Sequence, residues 1–283
     1  MPEGTALSAE TMEALVAGAQ ATNALTRPLL DHGSIRDDLF HFLSFPPYRV
    51  IFDGVRDEVM RDMEKVRLAA PALQVLDYFQ VNDYYTYRHF LTVFALATLL
   101  ARDLVPDAGE RAALETSGPT HDIGKICVPL RVLRKTSPLM RSERAALESH
   151  SAAGYVLLGY YLGDCGGLAP RVALDHHERR DGSGYPRGMS QRDVLVEIIA
   201  ACDVYDALIS PRPYRMASYD NRTALEEITA MAEGNRLGWD VVRALVAHNR
   251  RRRLHYTESE VSVEKRGTPP PLNFHGMVVE DGE

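Results

Sequence analysis

Apolar positions recur at helical spacing along most of the chain, and alternation of the strand kind is scarce. Ala9–Leu25, rich in Ala, Glu and Leu, predicts a helix that Ser8 can cap. Pro46-Pro47 breaks the pattern, and a charged helix is expected over Glu58–Ala69. The apolar stretch Tyr84–Asp103 predicts a long helix stopped by Val105-Pro106. Further helices are expected over Ser142–Leu162, where Glu143 gives capping-box character, and over Asp193–Ile209, Asn221–Ala232 and Trp239–Leu254. The Gly-rich stretch Arg180–Gly188 falls between helices, so the expected fold class is all-α. Residues 1–75 read as an N-terminal helical extension, with a regulatory or dimerising role expected from position alone. Residues 76–255 read as the main domain, and 256–283 as a polar, loosely packed tail.

Composition narrows the class. The chain has 283 residues, is 45% hydrophobic and 25% charged, and carries a formal charge of -7. This is the balance of a globular protein, not a disordered one, and an acidic chain is a poor general nucleic-acid binder. The basic run Arg250–Arg253 is read as stabilising charge at a helix C-terminus. The apolar run Phe90–Ala101 is shorter than the roughly 20 residues a membrane span needs, so no membrane association is expected. The first basic residue is Arg27, which leaves the N-terminus without a signal-peptide pattern. Cys127, Cys165 and Cys202 form no CxxC pair, and Cys202 reads as a small hydrophobe. A cytoplasmic location is expected.

Histidines and carboxylates then change the picture. His121-Asp122 precedes Gly124-Lys125, and His176-His177 precedes Glu178 and the Asp181–Pro186 loop. His89 and His150 lie within otherwise apolar helical segments, and Asp203 lies inside Val194–Leu208. Singly, each fits a hydrogen-bonded core residue. Together, imidazoles and carboxylates from several helices favour bound cations, because a buried ionised Asp is costly unless paired or metal-bound.

The strings HDIGK (121–125) and HHERRDGSGYP (176–186) resemble the two signatures of the HD-GYP phosphodiesterases, a branch of the HD metal-hydrolase superfamily. The likeness extends to YTYRH (85–89), ESHSAAG (148–154) and CDVYDALISPRPYR (202–215), and covers about residues 77–235. It implies a helical bundle with two or three metals, usually iron or manganese, that hydrolyses cyclic di-GMP, with pGpG or GMP as the final product. It also implies the ligands His89, His121, Asp122, His150, His176, His177 and Asp203. Asp122, with a water or hydroxide, would bridge two ions. Asp203 would join His89 and His121 on one, and His150, His176 and His177 would hold the other. Lys125, four residues after His121 and on its face if the helix continues, resembles the lysine that meets the scissile phosphate and helps the leaving oxygen. Arg212 and Arg215 match positions that hold ligand phosphates, and Tyr185 lies in the Gly-Tyr-Pro loop near substrate. That loop is linked in the family to recognition of diguanylate cyclase domains. Glu178 and Asp181 are expected to orient ligands, while Gly182 and Gly184 let the loop turn. Tyr85 stands where family members with a third metal place a glutamate, so two divalent ions are expected. Pro119 lacks an amide hydrogen and is expected to disturb the turn before His121. Hydrolysis of another nucleotide and a non-catalytic cyclic-dinucleotide receptor are the competing functions.

Overall fold

The computed structural model describes residues 26–211, 217–250, 255–262, 264–271 and 278–280. The helix expected over Ala9–Leu25 lies outside them, as do Arg212 and Arg215. The described chain is a helical bundle with short strands only, in line with the all-α expectation. A central helix, Tyr84–Leu104, collects the others around it.

The N-terminal elements are β1 (Thr26–Pro28), α1 (Ile35–Ser44), α2 (Arg49–Phe52), α3 (Arg56–Met63), β2 (Arg67–Ala69) and α4 (Ala70–Asn82). Strand β1 pairs antiparallel with β2, with Thr26 opposite Ala69. The charged segment behaves as patterned: α3 puts Val59, Met60 and Met63 inward and its charges outward. It ends at Met63, because Arg67–Ala69 is spent on the ladder. Leu29, Leu39, Phe52 and Val59 join Phe90, Ile199 and Leu245 in one continuous core.

Helix α5 (Tyr84–Leu104) is capped by Asp83, whose carboxylate accepts from the Thr86 hydroxyl at 2.7 Å. Its residues from His89 through Ala101 are all buried, as a helix apolar around its circumference requires. It stops at Val105, before Pro106. Helix α6 (Ala108–Ser117) leads into two 3-10 turns, Gly118–Thr120 and Ile123–Cys127. Pro119 sits in the first turn of the former, where a missing amide hydrogen costs nothing.

Helices α7 (Leu130–Leu133), α8 (Arg141–Glu148), α9 (His150–Leu162) and α10 (Leu168–Asp175) follow. The single helix expected over Ser142–Leu162 is two. Around Ser149, the Ser149 hydroxyl takes the Ala146 carbonyl at 2.8 Å and the His150 ring takes that of Leu147 at 2.5 Å. Side chains thus occupy carbonyls that would have carried the helix onward. Helix α11 (Val194–Ile209) is capped by Asp193 through the Leu195 amide at 2.9 Å and lies against α5. Helices α12 (Asn221–Glu233) and α13 (Trp239–His248) close the bundle. The described tail is not loose. The Glu226 carboxylate accepts from the Arg266 and Gly267 amides, and β4 (Val278–Val279) pairs with β3 (Leu139–Met140).

Candidate metal centre

The seven residues singled out as ligands converge from five places in the fold. His89 comes from α5; His121 and Asp122 lie between the two 3-10 turns; His150 opens α9. His176 ends α10 with His177 beside it, and Asp203 lies on α11. All are buried except His177, whose side chain is 16% exposed.

Their donor atoms form two groups that share one residue. His89, His121, Asp122 and Asp203 make one group; Asp122, His150, His176 and His177 make the other. Asp122 Oδ2 lies 3.2 Å from His89 Nε2 and 3.4 Å from His121 Nε2. Its Oδ1 lies 3.0 Å from His150 Nε2 and 3.5 Å from His176 Nε2. Asp203 approaches His89 Nε2 at 3.1 Å and His177 Nδ1 at 3.8 Å.

The backbone fixes which ring nitrogens face inward. Nδ1 of His121 donates to the Gly118 carbonyl at 2.7 Å, and Nδ1 of His150 to that of Leu147 at 2.5 Å. His176 Nδ1 meets the Val172 and Ala173 carbonyls at 3.0 and 3.1 Å. A carbonyl can only accept, so each of these rings carries a proton on Nδ1 and turns Nε2 inward, which in the neutral ring is a lone pair. Nε2 of His121, Nε2 of His176 and Oδ1 of Asp122 are buried without a hydrogen-bond partner. Lone pairs from nitrogen and oxygen aimed at common points in a buried space are what a cation requires. The residues present fit divalent metals.

The charge balance without metal points the same way. Burial pushes the His89 imidazole down, but the Asp206 charge and hydrogen bonds to Asp122, Asp203 and Asp206 outweigh it and raise its pKa to about 9. Burial pushes Asp122 up, and the Lys125, His121 and His150 charges overcome it and hold Asp122 well below the usual carboxylate range. Burial likewise opposes Asp203, which His89 and His177 bring well below that range. Burial and the neighbouring His176 charge hold His177 well below the ordinary imidazole value. Positive charge is demanded at the carboxylates and refused at His177.

Lys125 differs from its expected geometry. Because Ile123–Cys127 is a 3-10 turn with three residues per repeat, Lys125 stacks under Asp122 and not under His121. Its ammonium hydrogen-bonds Asp122 Oδ2 at the edge of the site, with the side chain 15% exposed. The Tyr185 ring stacks on His177, centroids 4.5 Å apart and planes inclined by 23°, with the Arg144 guanidinium 5.8 Å above it. Tyr85, by contrast, is 41% exposed.

Glu178 and Asp181 are corrected. Neither is hydrogen-bonded to a ligand imidazole. Glu178 accepts from the Arg187 and Met189 amides at 2.7 and 3.0 Å, which clamps the far side of the Gly-Tyr-Pro loop. Asp181 accepts from the Ser183 amide and hydroxyl at 2.9 and 2.7 Å, an Asx turn at the loop tip. Of the two loop glycines, only Gly182 uses a left-handed backbone, with φ +78. Gly184 is needed because a side chain there would strike the backbone of His177–Arg179. Cys202 is fully buried in the core, as expected of a small hydrophobe.

One group was missed. Asp206 is fully buried, and its Oδ2 binds His89 Nδ1 at 2.6 Å, orienting that ring as carbonyls orient His121, His150 and His176. The signal was present: Asp203 and Asp206 are three apart on an apolar helix, hence on one face.

The model of the HD domain matches residues 67–241, more than half of the chain. The chain belongs to the HD domain family. Its two signature strings place it with the HD-GYP type, as the sequence suggested. A cyclic di-GMP phosphodiesterase of Pseudomonas aeruginosa is 41% identical over 58% of this chain and 39% of its own length. A cyclic di-GMP phosphodiesterase of Thermotoga maritima is 35% identical over 48% of this chain and 38% of its own. A 3'3'-cGAMP-specific phosphodiesterase of Vibrio cholerae is 35% identical over 51% of this chain and 33% of its own. The chain thus matches only about a third to two fifths of these relatives' lengths.

Proposed function

We propose that this chain is a metal-dependent phosphodiesterase that opens cyclic di-GMP to linear pGpG. One observation carries the reading: five imidazoles and two carboxylates meet in two adjoining groups that share Asp122. His89, His121, Asp122 and Asp203 would hold one divalent ion, and Asp122, His150, His176 and His177 the other. The all-nitrogen-and-oxygen donor set suits iron or manganese. Bound there, the two ions would supply Lewis acidity at a phosphoryl oxygen and a water acidic enough to attack at neutral pH.

The chain's own residues position the reaction. Asp122 presents one oxygen to each group and keeps both sets of imidazoles in register. Lys125 lies at the site's edge, hydrogen-bonded to Asp122. From there its ammonium can meet the scissile phosphate and give a proton to the leaving oxygen. Tyr185 covers His177 and offers a stacking face to a base. Arg212 and Arg215, outside the described residues, carry the expected grip on phosphates.

A mixed-base cyclic dinucleotide is the second substrate reading, because a relative in Vibrio cholerae is named as specific for 3'3'-cGAMP. Cytoplasmic signalling, a homodimer and a diguanylate cyclase partner at the Gly-Tyr-Pro loop complete the proposal. No helix among the described residues is long and apolar enough to cross a membrane. Turnover of cyclic di-GMP and 3'3'-cGAMP by the reduced, metal-loaded protein, followed by chromatography, tests the reading. Cyclic di-GMP is expected to give pGpG. Cleavage of 3'3'-cGAMP alone would change the substrate, and tight binding without cleavage would make the chain a receptor.

A further inference from the structure

Tyr48 lies outside the residues matched to the HD domain, at the start of α2, and is 1% exposed. Its hydroxyl reaches the Asp206 carboxylate and lies 2.6 Å from Ser210 Oγ. The same Asp206 Oδ1 accepts from Thr92 Oγ1 at 2.6 Å and Ser210 Oγ at 3.0 Å, while Oδ2 takes His89 Nδ1 at 2.6 Å. A carboxylate held through one oxygen can swivel. One held by hydroxyls from three different segments on Oδ1 presents Oδ2 in a single direction, and so aims the His89 ring.

We propose that Tyr48 is a positioning residue of the metal centre, fixing Asp206 so that His89 Nε2 faces Asp122 and Asp203. This rests on reading the seven-residue cluster as a centre for divalent cations. It makes the N-terminal layer part of one ion's surroundings. Displacement of Tyr48 would be felt at His89, while His150 and His176 keep their own backbone anchors.

The test is titration of the metal-free full-length chain with Mn²⁺ alone, read by electron paramagnetic resonance and elemental analysis. Tyr48→Phe removes one hydroxyl and keeps the ring that fills the core. It is expected to weaken one of the two Mn²⁺ ions about tenfold, the low end for loss of a group that orients a ligand, and to leave the other unchanged. Asp206→Asn should weaken the same ion further, up to about 100-fold. Leu39→Ala, an apolar truncation on α1, should lower the melting temperature and leave both affinities as in the wild type. Wild-type affinity for both ions in Tyr48→Phe would overturn the inference, as would equal weakening of both. A wild type that binds no Mn²⁺ would overturn the metal centre itself.

Discussion

Gly124→Ala tests how tightly the HDIGK turn is built against the ligand helix. Gly124 sits two residues after Asp122 and faces the first turn of α9. A methyl there would overlap the carbonyl oxygen of His150 and the amide nitrogen of Gly154, and would lie 2.9 Å from the His150 carbonyl carbon. All three atoms are backbone, so no side chain can swing aside. Carbon atoms settle about 3.5–4.0 Å apart, so the carbon contact alone requires roughly 0.6 Å of separation. Metal–ligand distances in well-formed sites agree with their ideal values to within about 0.2 Å. The 3.0 Å approach of His150 Nε2 to Asp122 Oδ1 spans the two segments being forced apart. The ion assigned to Asp122, His150, His176 and His177 should therefore be lost, with a destabilisation of about 1–3 kcal/mol. Gly154→Ala is the control: its methyl would lie 3.1 Å from the Ala173 side chain and needs a smaller adjustment. Metals per chain by elemental analysis, with thermal melting of both variants, reads the difference. A full metal complement in Gly124→Ala would refute the steric argument.

Asp122→Ala should lose both ions and activity together, whereas Lys125→Ala should keep the ions and lose turnover; equal metal loss in the two would collapse the distinction between bridge and proton donor. The purified protein should hold about two ions per chain by elemental analysis and anomalous scattering, because the donor atoms form two groups and Tyr85 is exposed; full occupancy of a third site would contradict this. Burial and the Asp62 charge raise the pKa of Glu115, against the Lys65 and Arg111 charges. Its stabilising contribution is therefore present below the unfolded value of 4.5 and lost as pH rises through the folded one. Glu115→Gln should accordingly melt higher at pH 7 and gain nothing near pH 4, and a lower melting temperature at pH 7 would show that the charged carboxylate is well accommodated.

The helical class was legible because periodicity is local: α5, α11 and α12 each announce their length through apolar spacing, a capping Asp, or a following Pro. The seven candidate ligands came from the likeness of the two signature strings to a known family; the residues alone offered only polar groups inside apolar helices at His89, His150 and Asp203. Other features depended on which backbone groups come within reach through space. The break at Ser149 follows from two side chains finding nearby carbonyls, and the 3-10 turn moves Lys125 from His121 to Asp122. Glu178 found the Arg187 and Met189 amides, not an imidazole. The contact furthest from sequence reasoning joins Tyr48 to Asp206, 158 positions apart. Residue types along the chain supply a donor set that fits metals, and only tertiary packing brings Asp206 of α11, and Tyr48 behind it, to His89.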